Sequence, residues 1–138
     1  MQFTNEVTPS DPKQIEEMMA EGPEGPIYMV NLLKFRDKAE YADGRETNLT
    51  GREAYNIYAK EVTKLVEKFG GKAVFWGDTT ALLLGQVDEL WDEVAIVSYP
   101  SREDLWKMST SPEWQAIGVH RQAGLKGQLN IETVQPKV

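Results

Sequence analysis

An α+β fold is predicted, with helices on one face of an antiparallel four-stranded sheet. Three observations predict it. After a short first helix, the elements run strand, helix, strand, strand, helix, strand, the order of a ferredoxin-like βαββαβ unit. The helix starts carry recognisable capping signals. The first strand is apolar on both of its faces. At 138 residues, 41% apolar and 27% charged, the chain has the length and composition of one folded domain with a core.

Taken in order, Asp11-Pro12 reads as an N-cap and first helical residue, with Gln14 completing a capping box. A helix then runs to Glu21, and Gly22-Pro23-Glu24-Gly25-Pro26 ends it as a stiff linker. Residues 1–26 are thus read as an acidic N-terminal extension and 27–138 as the ferredoxin-like domain. Ile27 to Arg36 is a central strand. One face carries Ile27, Met29, Asn31, Leu33 and Phe35, the other Tyr28, Val30, Leu32, Lys34 and Arg36. Helices cover only one face of such a sheet. The second apolar face calls for another cover, and a second copy of the chain in closed two-fold form is the expected one.

Thr50 with Glu53 forms a capping box. Ala54, Tyr58, Val62, Leu65 and Phe69 then repeat at helical spacing until Gly70-Gly71 ends the helix. Lys72–Trp76 and Thr80–Val87 read as extended around Gly77-Asp78, either as a hairpin or, preferably, as one bent strand with a bulge. Asp88 to Asp92 is a turn and Glu93 to Tyr99 a strand. Ser101 with Asp104 caps one helix, and Ser111-Pro112-Glu113 opens the next, which Gly124 and Gly127 break. Gln128 to Val134 is the last strand.

Composition excludes several functions. The net charge of −7 argues against nucleic-acid or anionic-membrane binding through charge. Six acids against one base in residues 1–26 place −5 of that total on the extension, read as a solvated helix face or as a docking surface. With no cysteine and one histidine, disulfides, thiolate chemistry and structural zinc are excluded, and neither a metal nor another cofactor is expected. No signal-peptide pattern or membrane-length apolar run occurs, so a cytoplasmic location is the default. Phosphate loops, dinucleotide fingerprints and nucleophile elbows are also missing.

Tyr55-Asn56-Ile57-Tyr58, Gly70-Gly71, Leu84-Gly85, Tyr99-Pro100-Ser101, Ser111-Pro112-Glu113-Trp114 and His120-Arg121 together form a moderately specific set. Through them, over roughly Ile27 to Thr133, the chain resembles the bacterial family called domain of unknown function 1330, within the dimeric α/β-barrel superfamily. The resemblance implies a ferredoxin-like subunit whose sheet pairs face to face with that of its mate. It implies no activity.

Candidate chemistry starts from His120, the only histidine and so the most accessible acid or base near neutral pH. Arg121 beside it suits an anion clamp, although adjacent helical residues point about 100° apart. The structural alternative is that His120 bonds a backbone carbonyl and Arg121 a carboxylate. Asn31, in the middle of an apolar strand, needs a partner: a ligand, a water or a side chain. Trp76, Tyr99 and Trp91 are candidate pocket walls, against core or interface packing. Lys34 is either a ligand contact or a snorkelling side chain. Asp88, Glu89, Asp92 and Glu93 lack calcium-loop spacing and read as a solvated turn. The expectation is a homodimer binding a small, partly apolar anion, with His120, Arg121 and Asn31 at the centre of any catalysis. The alternative is a non-catalytic ligand-sensing or protein-interaction module.

Overall fold

The computed structural model describes residues 11–137; Glu6 and the rest of the first ten residues of the acidic extension lie outside them. The element order is α1 (Pro12–Met19), β1 (Ile27–Phe35), α2 (Gly51–Lys68), β2 (Lys72–Asp78), β3 (Glu93–Tyr99), α3 (Arg102–Ser109), α4 (Pro112–Gly124) and β4 (Leu125–Thr133). The strands form one antiparallel sheet in the order β2-β3-β1-β4. This is the ferredoxin-like topology.

Capping chemistry fixes the helix starts. Thr50 Oγ1 accepts from the Glu53 N–H, and the Glu53 carboxylate accepts from the Thr50 N–H, closing the capping box at both ends. Ser101 and Ser111 accept from the Asp104 and Trp114 N–H groups. At the far end of α2, Gly70 takes φ +84° and the Gly71 N–H reaches the Val66 carbonyl. That left-handed position is the one glycine occupies without a Cβ penalty.

Strand parity divides the sheet into two chemically different faces. Ile27, Met29, Leu33 and Phe35 are buried beneath the helices with Leu65, Val66, Tyr55, Tyr58 and Leu125. The cross-strand register puts Tyr28, Val30, Leu32, Val94, Ile96, Phe75, Leu129 and Ile131 on the other face, which no described element covers. Phe75 and Ile131 are exposed there.

Several boundaries differ from expectation. The first helix stops at Met19, not Glu21, where Ala20 turns extended. Thr80–Val87 is not a strand: β2 ends at Asp78 and a long loop follows. The β2 bulge falls near Val74, where the register against β3 shifts. The last strand begins at Leu125, three residues early, and Gly127 pairs within it opposite Lys34. Gly124 sits instead where the chain passes backbone to backbone against Gly51.

Helix α1 is tied to the domain by one arginine. Arg102 Nε and Nη2 donate to the two carboxylate oxygens of Glu132 at 2.6 and 2.7 Å. Its Nη1 donates to the Glu17 and Ala20 carbonyls, where the α1 backbone runs out of helical partners. Met18 packs on the core around Ile27 and Tyr99.

Candidate functional site

On the helix-covered face, the register aligns Trp76, Ala95, Asn31 and Asn130 in one row across all four strands. The next row is Asp78, Glu93, Leu33 and Gln128. Leu33 and Glu93 are buried, as is Met29 on the other side of Asn31. Asn31 and Ala95 between them are only half-buried. The helices therefore cover the Asn31–Ala95 row less completely than Leu33, Glu93 and Met29 beside it. The row ends on β2, whose residues Lys72 to Trp76 are exposed. Ala95 carries the smallest side chain in the row.

Polar groups converge on Asn31 in this row. Asn31 Nδ2 donates to the Met29 and Ala95 carbonyls at 3.2 Å each. Its Oδ1 accepts from Gln128 Nε2 at 2.7 Å. Gln128 Oε1 in turn accepts from Arg121 Nε at 3.1 Å and Nη2 at 2.6 Å. Asn31 thus has a protein partner, supplied by the last strand. Burial pulls the Arg121 guanidinium below its ordinary value, against the opposing pull of Tyr58 and Tyr55. Burial pushes the Tyr55 hydroxyl far up, and the charges of Arg121 and Glu93 both act on it.

The other charged centre is Glu93, 2% exposed. Its Oε1 accepts from Trp76 Nε1, and its Oε2 accepts from Arg52 Nη1 at 2.9 Å. Arg52 also reaches Asp78 at 2.8 Å, and its guanidinium lies 4.6 Å from the Phe35 ring centroid. Burial drives the Glu93 carboxyl above its ordinary value, partly opposed by Trp76 and Arg52. The acidic stretch from Asp88 to Glu93 is therefore not a uniformly solvated turn. Glu93 was legible by parity, since it shares a strand face with Ala95, Val97 and Tyr99, but its acidic neighbours masked that signal.

The remaining candidates lie elsewhere. His120 Nδ1 bonds the Tyr41 hydroxyl at 2.7 Å, with the two rings edge to face. Tyr41 belongs to the segment between β1 and α2, and the Arg45 guanidinium stacks on it. Burial, then the Arg45 charge, lowers the His120 pKa and favours the neutral ring. His120 and Arg121 leave α4 in different directions, toward Tyr41 and Gln128. Tyr99 is buried against Met108, and burial holds its hydroxyl protonated. Lys34, on the open sheet face, donates to the Leu90 carbonyl at 2.9 Å and Asp92 at 3.0 Å, and pairs with Glu89 at 3.3 Å. Burial opposes its charge, but these acids outweigh it and raise its pKa. Trp91 is half-buried in the turn that Lys34 holds. Two bonded groups thus lie on the helix-covered face: Asn31 with Gln128 and Arg121, and Trp76 with Glu93 and Arg52.

No group of His, Asp and Glu side chains among the described residues is arranged to hold a metal ion. No described helix is long and apolar enough to cross a membrane.

Comparison with known proteins places this architecture. No curated protein matches the chain. The methylated RPA0582 protein is 36% identical with a TM-score of 0.86, and the match covers 98% of both chains. An RPA0582 protein of unknown function from Rhodopseudomonas palustris is 33% identical with a TM-score of 0.85, over 98% of this chain and 100% of that one. A dimeric protein of unknown function with a ferredoxin-like fold, from Bacteroides fragilis, shares the fold at 14% identity and a TM-score of 0.51, over 78% and 94% of the two chains. Residues 44–133 match the family described as domain of unknown function DUF1330. The chain belongs to the DUF1330 family.

Proposed function

We propose that the protein is a homodimer that binds a small, partly apolar anion over the Asn31–Ala95 row. The observation that supports this most is the accessible row inside a helix-covered layer, with the half-buried Arg121 guanidinium at its end. Burying a cation costs free energy that packing alone does not require. Arg121 supplies positive charge for a carboxylate, and Gln128 and Asn31 hold it in orientation. Trp76 and Ala95 supply an apolar wall and floor for the rest of the ligand.

Pairing of two copies through the open sheet face follows from its chemistry. Its side chains on β1 to β4 include Val30, Leu32, Val94, Ile96 and Leu129 but no aspartate or glutamate. In a chain of net charge −7, two copies meet there without facing acids.

Phenylacetate and benzyl alcohol, compared by calorimetric titration, test the site. Wild type is expected to prefer the carboxylate, and Arg121→Met to weaken its binding by about tenfold or more. Equal affinity for acid and alcohol, or an unchanged Arg121→Met variant, would remove the anion site.

A second reading has its own support. His120 is oriented by Tyr41 at 2.7 Å and kept neutral, which suits a proton acceptor. It requires a ligand reaching toward the β1–α2 segment. Nuclear magnetic resonance of the His120 ring should then shift on adding phenylacetate, and His120→Gln should weaken binding several-fold. An unmoved resonance assigns His120 to holding Tyr41.

A further inference from the structure

We propose that the loop from Thr79 to Asp92 is an intersubunit arm that packs Leu82, Leu83 and Leu84 onto a second copy of this chain. The proposal rests on the homodimer reading above and adds to it a surface outside the sheet. Leu83 is 93% exposed and Leu84 82%. Three consecutive leucines facing water are unusual for a surface with no partner. From Thr79 to Val87, the limb that carries the leucines, there is no charged residue, and Glu89 and Asp92 of the returning limb are paired with Lys34.

The base of the arm is fixed while its tip projects. The Thr79 N–H donates to the Asp92 carbonyl at 2.9 Å, and the Asp92 N–H to the Leu33 carbonyl at 2.8 Å. Asp92 Oδ2 accepts from the Phe35 N–H at 2.9 Å. Glu89 is held by Lys34 at 3.3 Å and Lys126 at 3.5 Å. Gly85, at φ +93°, turns the chain just after the leucines. Fixing both ends of the loop limits the freedom that its apolar tip has to lose on docking.

A second copy is the occupant because the base of the arm is anchored on the open face through Lys34. Lys34 belongs to that face, two residues beyond Leu32 on β1 and opposite Gly127, and it is the residue that holds the returning limb of the arm. Any molecule covering the open face therefore reaches the arm at its rim. The open face of the partner offers the same acid-free apolar chemistry, and two-fold pairing supplies each arm with a matching surface.

Sedimentation equilibrium on the full chain tests this, with Ile96→Asp as the open-face variant and Leu83→Asp/Leu84→Asp as the arm variant. Wild type is expected to dimerise, and the arm variant to raise the dimer dissociation constant by about tenfold or more with its circular dichroism unchanged. Because the chain has no cysteine, Leu83→Cys reports the same contact. Its maleimide labelling should be slower in the dimer than after dilution to monomer. An arm variant that associates like wild type, together with unprotected Leu83→Cys, overturns the arm while leaving an Ile96→Asp-sensitive dimer intact. A wild-type chain monomeric at every concentration overturns the homodimer reading and the arm with it.

Discussion

Replacing Gly51 or Gly124 by alanine is expected to destabilise the protein by about 3 kcal/mol or more, although alanine is the better helix former. Both glycines lie at helix ends, Gly51 opening α2 and Gly124 closing α4. A Cβ on Gly51 would run into the backbone of Arg36 and the carbonyl of Gly124. One on Gly124 would meet the Gly51 carbonyl and the Tyr55 backbone. These are backbone atoms within the packed layer, so relief requires moving whole helices. Helix propensity alone favours the alanines by up to about 1 kcal/mol. The sign of the change therefore decides between local preference and tertiary contact. Gly118, also in α4, is the control: its added Cβ would touch only the Trp114 ring, at 3.4–3.7 Å. Gly118→Ala should be neutral or stabilising by up to about 1 kcal/mol. Urea unfolding of the three variants checks this, and a neutral Gly124→Ala would show that the helix crossing is not close-packed.

Glu93→Leu is expected to cost about 2–4 kcal/mol, because the Trp76 Nε1–H and the Arg52 guanidinium lose a buried acceptor. The lower half of that range is favoured, since Arg52 is 44% exposed and keeps Asp78. Glu93→Gln should cost less, because it retains an acceptor for the indole. The two differ from wild type in pH dependence as well. The carboxyl in the folded chain titrates above its ordinary value of 4.5, with burial as the main cause. As pH rises past that value, the unfolded chain releases its proton while the native chain keeps it. Wild-type stability therefore falls with pH until the raised native pKa is passed, and then levels off. Subtracting the Glu93→Gln curve from the wild-type curve between about pH 4 and pH 8 isolates this group. A difference that rises with pH would mean that Arg52 and Trp76 outweigh burial.

The site was partly legible for a specific reason. Strand parity depends on a period of two, so the helix-facing set Ile27, Met29, Asn31, Leu33 and Phe35 could be written down without coordinates. The need of Asn31 for a partner followed from its place in that set. Its actual partner, Gln128, lies 97 residues away in sequence, and no local pattern connects the two. The 100° step between adjacent helical residues warned that His120 and Arg121 diverge. Only the packing of α4 between the Tyr41 segment and β4 assigned each its direction. The Thr80–Val87 stretch looked like a strand because Ala81 to Leu84 is apolar, yet it pairs with nothing in the sheet.

By itself, the sequence determined the element order, the helix caps, the two-faced first strand, the uneven charge and the family resemblance. All of these depend on neighbours within a few residues, or on composition. Tertiary structure alone decided that Glu93 is buried, that Arg121 reaches Asn31 through Gln128, that Gly51 and Gly124 touch, and that three leucines project on a fixed loop. Each of those follows from contacts between segments remote in sequence. Such contacts are set by the register of strands and the crossing of helices, which no short stretch of sequence encodes.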